Sequence, residues 1–309
     1  MIISISRRTD IPAFFSEWFY NRIEDGYFMV RNPMNIHQVS KVTVTPQNAE
    51  CLVFWTKNPS FSFIENLPKL DEKGFNYYFQ FTITSYAQDI EKSVSRKTEI
   101  IEKFQKLSNQ IGKEKVIWRY DPIILNKKYN FDYHIKYFDY IAEKLSAYTE
   151  KVIISFVDCY SKIKTRLQEN EITDLTQEQM RKLGIALKQI AEKHNLKIES
   201  CSETIDFDDI GIPHGHCIDG ELINRICQRN FIFKKDKTQR NECGCVTSVD
   251  IGSYNTCRHN CAYCYATWNG IIPNSIDNSS PLLGSVLSNE DKVTVRKIPV
   301  LKEYNPELF

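Results

Sequence analysis

The sequence predicts an α/β fold, a partial (β/α)6 TIM-like barrel, followed by a cysteine-rich C-terminal tail. Two observations lead to this prediction. Six short runs rich in β-branched and aromatic residues alternate with segments of helical periodicity up to residue 230, and the alternation stops at about Phe231. Strands that alternate with helices form a parallel sheet with right-handed crossovers, and curling such a sheet gives a partial barrel. We therefore expect a barrel over 1–230 and a tail over 231–309 that packs on the barrel mouth.

The six predicted strands are short apolar runs, each followed by a polar loop. The first strand, residues 2–6, leads through such a loop to an aromatic helix that Pro12 opens. Segment 32–46 fits the alternation poorly and is predicted to be an excursion or a hairpin. The other five strands are predicted over residues 51–55, 77–83, 116–118, 152–157 and 196–200.

The helices between these strands are predicted from apolar residues spaced three or four positions apart. A charged helix is expected over 89–110, and the capping box Thr176-x-x-Gln179 opens the helix after the fifth strand. A last short helix is expected near 220–228. The helix after the fourth strand is expected to place on one face Ile135, Phe138, Ala142 and Leu145.

The composition places the chain among ordinary globular proteins. It has 40 Lys and Arg against 39 Asp and Glu in 309 residues, so no overall field attracts nucleic acid or an anionic membrane. The N-terminus does not resemble a signal peptide, and no apolar run approaches the roughly 20 residues that span a bilayer. The sequence thus predicts a cytoplasmic protein with no membrane partner, whose ten cysteines stay reduced.

Three cysteines form the most informative motif in the chain. Cys257, Cys261 and Cys264 have the spacing C-x3-C-x2-C. Thiols this close do not readily pair with one another, whereas three thiolates from one loop suit a metal cluster that needs a fourth ligand. Zinc is the alternative, but structural zinc favours paired C-x2-C elements and four protein ligands. The spacing therefore favours an iron-sulfur cluster.

This triplet resembles the cluster motif of the radical S-adenosylmethionine (SAM) superfamily, with Tyr263 just before the third cysteine and Tyr265 after it, as in spore photoproduct lyase-like proteins. The resemblance implies a 4Fe-4S cluster, a SAM molecule bound to its fourth iron, and an electron donor such as flavodoxin or ferredoxin. In that superfamily the motif follows the first barrel strand. Here it lies about forty-five residues before the C-terminus.

Two strand ends extend the resemblance to spore photoproduct lyase-like proteins. Residues 54–59, Phe-Trp-Thr-Lys-Asn-Pro, are similar to their Leu-Thr-Lys strand end. Residues 118–123, Trp-Arg-Tyr-Asp-Pro-Ile, are similar to a second strand end of these proteins, R-x-D/x-P-I. The whole layout, from Ser-Arg-Arg-Thr-Asp-Ile-Pro at 6–12 to Cys-Gly-Cys at 243–245 and the triplet, also resembles an uncharacterised bacterial family known as a domain of unknown function. That resemblance covers most of the chain and implies no established activity.

Polar side chains are concentrated where the predicted strands end. In parallel β/α sheets the site lies at the C-terminal strand ends, although strand ends that meet water are polar in any case. The cations could bind a carboxylate or a phosphate, and the carboxylates an amine or ribose hydroxyls. The predicted catalytic residues are Arg7, Arg8, Asp10, Lys57, Arg119, Asp121 and Glu203, and the predicted cofactor-binding residues are Thr56, Asn58, Thr82, Ser155 and Tyr263.

Four further cysteines are candidate ligands of a second cluster or of a zinc ion. Cys243 and Cys245 lie twelve residues before the triplet, and Cys201 and Cys217 lie at the sixth strand end and in the loop after it. These four come together if the tail folds back across the barrel mouth. Burial as small apolar side chains is the alternative. A histidine could replace one cysteine ligand, and the candidates are His214, His216 and His259, although a surface histidine is the favoured interpretation of each.

Three functions are consistent with these patterns. The leading hypothesis is an iron-sulfur enzyme of the radical SAM type, acting on a small-molecule or nucleotide substrate. The second is a β/α barrel protein with a structural or electron-transfer iron-sulfur or zinc site and no SAM chemistry. The third is a metal-independent hydrolase or lyase that uses Glu203 with Asp121 or Asp10.

Overall fold

A computed structural model describes residues 1–203, 205–268, 277–297 and 301–304. The strands of its main sheet are β1 (Ile2–Ile5), β4 (Cys51–Thr56), β5 (Tyr77–Thr82), β6 (Val116–Ile123), β7 (Lys151–Phe156), β8 (Lys197–Ser200) and β10 (Val249–Asp250). The remaining strands are β2 (Tyr27–Asn32), β3 (Asn35–Thr43), β9 (Phe231–Ile232), β11 (Lys292–Val295) and β12 (Lys302–Glu303). The helices are α1 (Ile11–Phe14), α2 (Ser16–Asp25), α3 (Phe61–Glu65), α4 (Pro68–Lys73), α5 (Lys97–Ile111), α6 (Phe131–Leu145), α7 (Lys164–Glu169), α8 (Gln177–Lys193) and α9 (Gly220–Cys227).

The main sheet is parallel throughout, with the order β10-β1-β4-β5-β6-β7-β8. All six predicted strands are present and lie in chain order, so the α/β prediction is confirmed at the level of a parallel sheet flanked by helices. The seventh strand, β10, comes from the tail and pairs with β1 through Ile3 opposite Val249 and Ser4 opposite Asp250. Closure of this sheet into a barrel stays a prediction.

Alternation along the strands produces two separate cores. Ile3, Phe54 and Phe79 belong to the core beneath the helices, while Ile2 and Val53, one residue away along the same strands, belong to the core of the opposite face. Side chains of α9 and of the segment after it cover this second face, namely Leu222, Ile223, Cys243, Cys245 and Val246. The chain beyond residue 230 therefore packs directly on the sheet.

Two details of the helix predictions were wrong. The charged helix begins at Lys97 rather than near Asp89, because residues 83–96 form a loop after β5 that contacts the tail. In α6 the predicted Ile135 is 36% exposed, and the buried face instead includes His134 and Ile141 beside Phe138. Apolar spacing did not anticipate a polar histidine in the core.

Other local predictions were right. Segment 32–46 is part of an antiparallel hairpin of β2 and β3, and the capping box of α8 has both of its hydrogen bonds, between Thr176 and Gln179. The last short helix is α9. Within the described part of the chain, none of the helices combines the length and the apolar character that crossing a bilayer requires.

Candidate functional site

A cleft of about 350 Å³ lies at the C-terminal ends of the parallel strands. All of the predicted catalytic residues line it, as do all seven predicted metal ligands and every predicted cofactor-binding residue except Asn58. Asn58 turns away from the cleft, where its side chain bonds Ser95 at 3.0 Å and Lys103 of α5 at 2.7 Å. The strand-end argument thus located the residues, and their roles stay predictions.

The cysteine triplet forms one wall of this cleft, in the loop that follows β10. Cys261 is 5% exposed, and the backbone N–H groups of Asp10 and His259 donate to the sulfur of Cys257. Burial, with Cys264 and Asp10 nearby, raises the pKa of Cys257 to about 12, and burial with the charge of Glu91 raises the pKa of Cys261 well above its usual range. These thiols therefore ionise only beside a compensating cation, which a metal provides.

Asp10 holds the triplet loop to the strand ends. Its carboxylate accepts hydrogen bonds from the Thr56 hydroxyl at 2.8 Å, the Lys57 backbone N–H at 2.7 Å and Nε2 of His259 at 2.8 Å. Since a carboxylate only accepts, Nε2 carries the proton and Nδ1 of His259 has a free lone pair. That Nδ1 is buried and has no hydrogen-bond partner among the described residues. Asp10 thus acts as an anchor with little capacity left for a substrate.

Glu91, which the sequence analysis missed, is the centre of a buried charge network behind the triplet. It is 1% exposed and accepts hydrogen bonds from Lys57 at 2.7 Å, Thr84 at 2.6 Å, Lys97 and Tyr263. Burial by itself would raise the pKa of Glu91, but the charges of Lys57 and Lys97 outweigh it and hold the pKa below its usual range. The predicted catalytic Lys57 and the predicted cofactor-binding Tyr263 are therefore tied together by one carboxylate.

The loop that carries Glu91 is held by tyrosine side chains, the buried Tyr120 and the half-buried Tyr133. The Tyr133 hydroxyl donates to the Ser85 carbonyl at 2.7 Å, and the Tyr120 and Ser85 hydroxyls lie 2.9 Å apart. Tyr120 in turn lies 2.8 Å from Nδ1 of His134 in α6. Residues 83–96 lack regular structure but are fixed by these contacts. No strand-end signal marked Glu91, which lies nine residues after the end of β5, and the predicted helix over 89–110 obscured it.

Two predicted catalytic arginines lie beside Asp250, the last residue of β10. The Arg7 and Arg8 guanidinium groups lie 4.0 Å and 3.8 Å from its carboxylate, which also accepts from the Ser6 hydroxyl at 2.6 Å. The Arg8 guanidinium lies 5.1 Å from the ring centre of Tyr254. The pair therefore carries one net positive charge into the cleft. Asp250 also explains how a two-residue strand is attached to the sheet.

Beyond these arginines lies a second cavity of about 310 Å³. Arg7 and Arg8 line both cavities, and Arg31 and Arg296 also line the second. Asp236 and Asp250 are the carboxylates in its lining, and Arg31 is paired with Asp291. Four arginines against these three carboxylates leave one net positive charge, which suits an anionic group that extends from the main cleft.

Arg119 and Asp121 dominate the sheet side of the cleft. They form an ion pair, Asp121 accepts a further hydrogen bond from Ser155, and the Arg119 guanidinium lies 5.2 Å from the ring centre of Trp55. Burial would raise the pKa of Asp121, but the charge of Arg119 outweighs it and lowers that pKa. The hydroxyl of Ser155 is thereby engaged, while Thr82 lines the cleft beside this pair.

Glu203 provides a proton-carrying group in the same cleft. It is 8% exposed and accepts one hydrogen bond from the Phe156 backbone N–H at 2.8 Å. Burial, together with the charges of Asp158 and Asp121, raises its pKa to about 8. At neutral pH this carboxyl group is largely protonated and can donate a hydrogen bond, unlike the ionised Asp121 nearby.

The four remaining candidate cysteines form a second wall of this cleft, and we call them the tetrad. The sulfurs of Cys201 and Cys217 lie 2.9 Å apart, Cys217 contacts Cys245, and Cys245 contacts Cys243. All four are free thiols. In the described ranges no group of three or more Cys, His, Asp or Glu side chains is already placed to hold a metal ion. The tetrad sulfurs contact one another in a row.

The other cysteines and histidines lie outside these two sets. Cys51 and Cys227 contact each other away from the cleft, and Cys159 is likewise absent from its lining. His214 forms a single bridge with Ser200, and the ring of His216 lies against Gly244.

Comparison with known proteins identifies the family. The family model described as Domain of unknown function (DUF1848) matches residues 2–266. The expected resemblance to an uncharacterised family is thereby confirmed across nearly the whole chain. No curated protein and no solved structure matches the chain.

Proposed function

The chain belongs to the family described as Domain of unknown function (DUF1848), and we propose that it is an iron-sulfur enzyme of the radical SAM type. One observation carries the proposal. The strand that leads into the cysteine triplet, β10, is the edge strand of the parallel sheet and lies next to β1. The triplet therefore opens onto the C-terminal strand ends, opposite the polar side chains that the strands present there.

The position of β10 in the sheet supports the radical SAM resemblance, although the triplet comes at a different place along the chain. The radical SAM resemblance implies a cysteine loop after the first strand of a partial barrel, whereas this triplet comes near the end of the chain. In space, however, the sheet begins with β10, and the other six strands follow in chain order. We propose that the chain is a rearranged partial barrel in which a late strand takes the first place.

The donor set of the triplet suits a cluster with three protein ligands. Its three thiols line one cleft, Cys261 buried and Cys257 and Cys264 partly buried, and two backbone N–H groups donate to Cys257. Such N–H donors to sulfur stabilise thiolate ligands of clusters. Cys257, Cys261 and Cys264 would hold a 4Fe-4S cluster and leave one iron for SAM. When bound, the reduced cluster supplies the electron that cleaves SAM to a 5′-deoxyadenosyl radical.

The side chains of the cleft would bind and shield the reactants. Arg7 and Arg8, which share one carboxylate, would pair with the SAM carboxylate or with an anionic group of the substrate. Glu203 would donate a hydrogen bond from its protonated carboxyl, while Thr82 offers a hydroxyl. The arginine-lined second cavity favours a substrate with a phosphate, such as a nucleotide. A cytoplasmic location and a flavodoxin or ferredoxin electron donor are part of this proposal.

The decisive experiment measures cluster content and SAM cleavage in anaerobically prepared protein. We expect roughly four irons and four acid-labile sulfides per chain at the triplet, and formation of 5′-deoxyadenosine after addition of dithionite and SAM. The Cys261→Ser variant should lose both, while the matched Cys159→Ser variant, outside the cleft, should keep both. Iron content that survives in Cys261→Ser, or a loaded cluster that never cleaves SAM, would contradict the proposal.

A second candidate function rests on His259. Its Nε2–H donates to a carboxylate and its Nδ1 lone pair is buried and free among the described residues, which is the arrangement typical of metal-binding histidines. If Nδ1 completes the triplet, the site is a closed centre of three cysteines and one histidine, with a structural or electron-transfer role and no SAM. The variant His259→Ala separates the two functions. An open cluster keeps its iron and still changes its electron paramagnetic resonance spectrum on SAM addition, whereas a closed centre loses metal.

A further inference from the structure

The tetrad brings together cysteines from three separate segments. Cys201 follows β8, Cys217 lies in the loop before α9, and Cys243 and Cys245 come from the segment before β10. Cys217, Cys243 and Cys245 are 2%, 6% and 3% exposed, within the core of the second sheet face. Cysteines that are close in sequence would contact one another in any fold. Contact between cysteines of three separate segments depends on how the chain folds, and a shared ligand is a reason for it.

We propose that the tetrad is a metal site that binds a single zinc-class divalent ion through four thiolates. The four sulfurs provide the complete ligand set of a structural zinc site, with no position left for water or substrate. The site is separate from the triplet, and the inference stands whether or not the triplet supports SAM chemistry.

The groups around the tetrad are those that stabilise thiolate ligands. Nη1 of Arg119 lies 2.5 Å from the sulfur of Cys217, and the backbone N–H of Ile218 donates to Cys245 at 3.3 Å. The backbone N–H of Cys245 donates to Cys243. A zinc ion with four thiolates has a net charge of −2, which the N–H donors and the Arg119 guanidinium, shared with Asp121, compensate in part. Purely apolar burial of cysteine would need none of these donors.

The spacing of the sulfurs favours one ion over a cluster. Four sulfurs around one zinc at Zn–S distances of about 2.3 Å lie about 3.8 Å apart, and the Cys201 and Cys217 sulfurs are at 2.9 Å. Side-chain rotations that separate this row slightly would let it surround an ion. A four-iron cluster would hold the four cysteine sulfurs much further apart, because each would bind a different iron of the cluster.

One close backbone approach in this region is consistent with a ligand that ties the segments together. A Cβ on Gly215 would lie 3.1 Å from the Ser200 carbonyl oxygen. Segments 201–219 and 228–248 contain little regular structure in their described residues. A four-thiolate site would therefore supply the cross-links that backbone ladders do not provide here.

The experiment uses the full chain with the triplet removed, Cys257→Ser/Cys261→Ser/Cys264→Ser, expressed with zinc and then with cobalt. We expect about one zinc per chain, and a cobalt form with the visible bands of a tetrahedral thiolate site. Zinc X-ray absorption should show four sulfurs at about 2.3 Å, a measurement made on folded protein that needs no tetrad variant. Adding Cys243→Ser/Cys245→Ser should abolish stoichiometric binding, whereas adding Cys159→Ser should leave it unchanged.

Three results would overturn the assignment. They are iron with acid-labile sulfide in the triplet-free protein, fewer than four sulfur ligands on the zinc, and absence of bound metal. None of them depends on SAM cleavage. Failure of this inference is thus distinguishable from failure of the proposed function, which is tested on the protein with an intact triplet.

Discussion

The two cysteine walls of the cleft are built by opposite means. The triplet has three thiols and is held by the surrounding protein, through Asp10 on one side and Glu91 on the other. The tetrad has four thiols that contact one another, and few backbone ladders join the segments that carry them. An incomplete ligand set needs a rigid support, because it must leave a position open without collapsing. A complete set can be organised by its own ion.

Removal of each ligand set should therefore affect folding very differently. We expect Cys243→Ser/Cys245→Ser to lower the free energy of unfolding by at least about 4 kcal/mol, because structural zinc binding is folding free energy. In protein whose triplet carries no cluster, replacing the three triplet cysteines by serine should cost only about 1–3 kcal/mol, mainly for the hydroxyl buried at position 261. Urea denaturation of zinc-loaded, cluster-free protein measures both. Equal losses would remove the distinction between the walls.

The charge network behind the triplet provides the next test. Glu91→Gln leaves the buried Lys57 and the half-buried Lys97 without their carboxylate, and breaking the buried pair with Lys57 costs about 3–5 kcal/mol. The matched control is Glu102→Gln on the exposed side of α5, where we expect less than about 0.5 kcal/mol. Chemical denaturation of both variants decides the point. A Glu91 effect as small as the control would mean that the triplet wall does not depend on this network.

The histidine beneath the same loop predicts a pH dependence. Burial lowers the pKa of His134 from 6.5 to about 4. The unfolded chain therefore binds this proton below about pH 6.5 and the folded chain only below about pH 4, so stability is full above pH 6.5 and falls between these values. The loss amounts to about 3 kcal/mol by pH 4.

The variant His134→Gln checks this dependence, since it cannot titrate. Its free energy of unfolding, measured from pH 7 to pH 4.5, should fall less steeply than that of the unmodified chain. His37→Gln, at a half-exposed position, should keep the original slope. Parallel curves for His134→Gln and the unmodified chain would contradict the prediction.

The smallest expected difference separates two glycines, one beside each wall. A Cβ on Gly252, just after β10, would lie 2.5 Å from the Ser6 Cβ, whose position the backbone fixes. A Cβ on Gly244 would meet the exposed His216 ring, which can rotate away. Gly252→Ala should thus cost about 1–3 kcal/mol and Gly244→Ala less than about 1 kcal/mol by thermal denaturation. The reverse order would show that the tetrad wall is the rigid one.

Local patterns were sufficient for most of the sheet and for the membership of the cleft. Parallel strands place their C-terminal ends on one edge, so polar residues such as Arg119 and Glu203 could be assigned to a common site without coordinates. The same argument failed for Asn58, whose side chain bonds α5. It failed because side chains alternate between the two faces of a sheet only within a strand, and Asn58 lies in the loop after β4, where its direction is not set in this way.

The sequence by itself determined the six strands, the capping box of α8 and the two sets of cysteines, because periodicity and spacing are local properties. Tertiary structure alone decided that β10 joins the sheet beside β1, that Glu91 lies behind the triplet, and that His259 bonds Asp10. A two-residue strand has no period to detect, and these contacts join residues 172 to 249 positions apart. Their free energy exists only after the helices and the sheet have brought both partners out of water together.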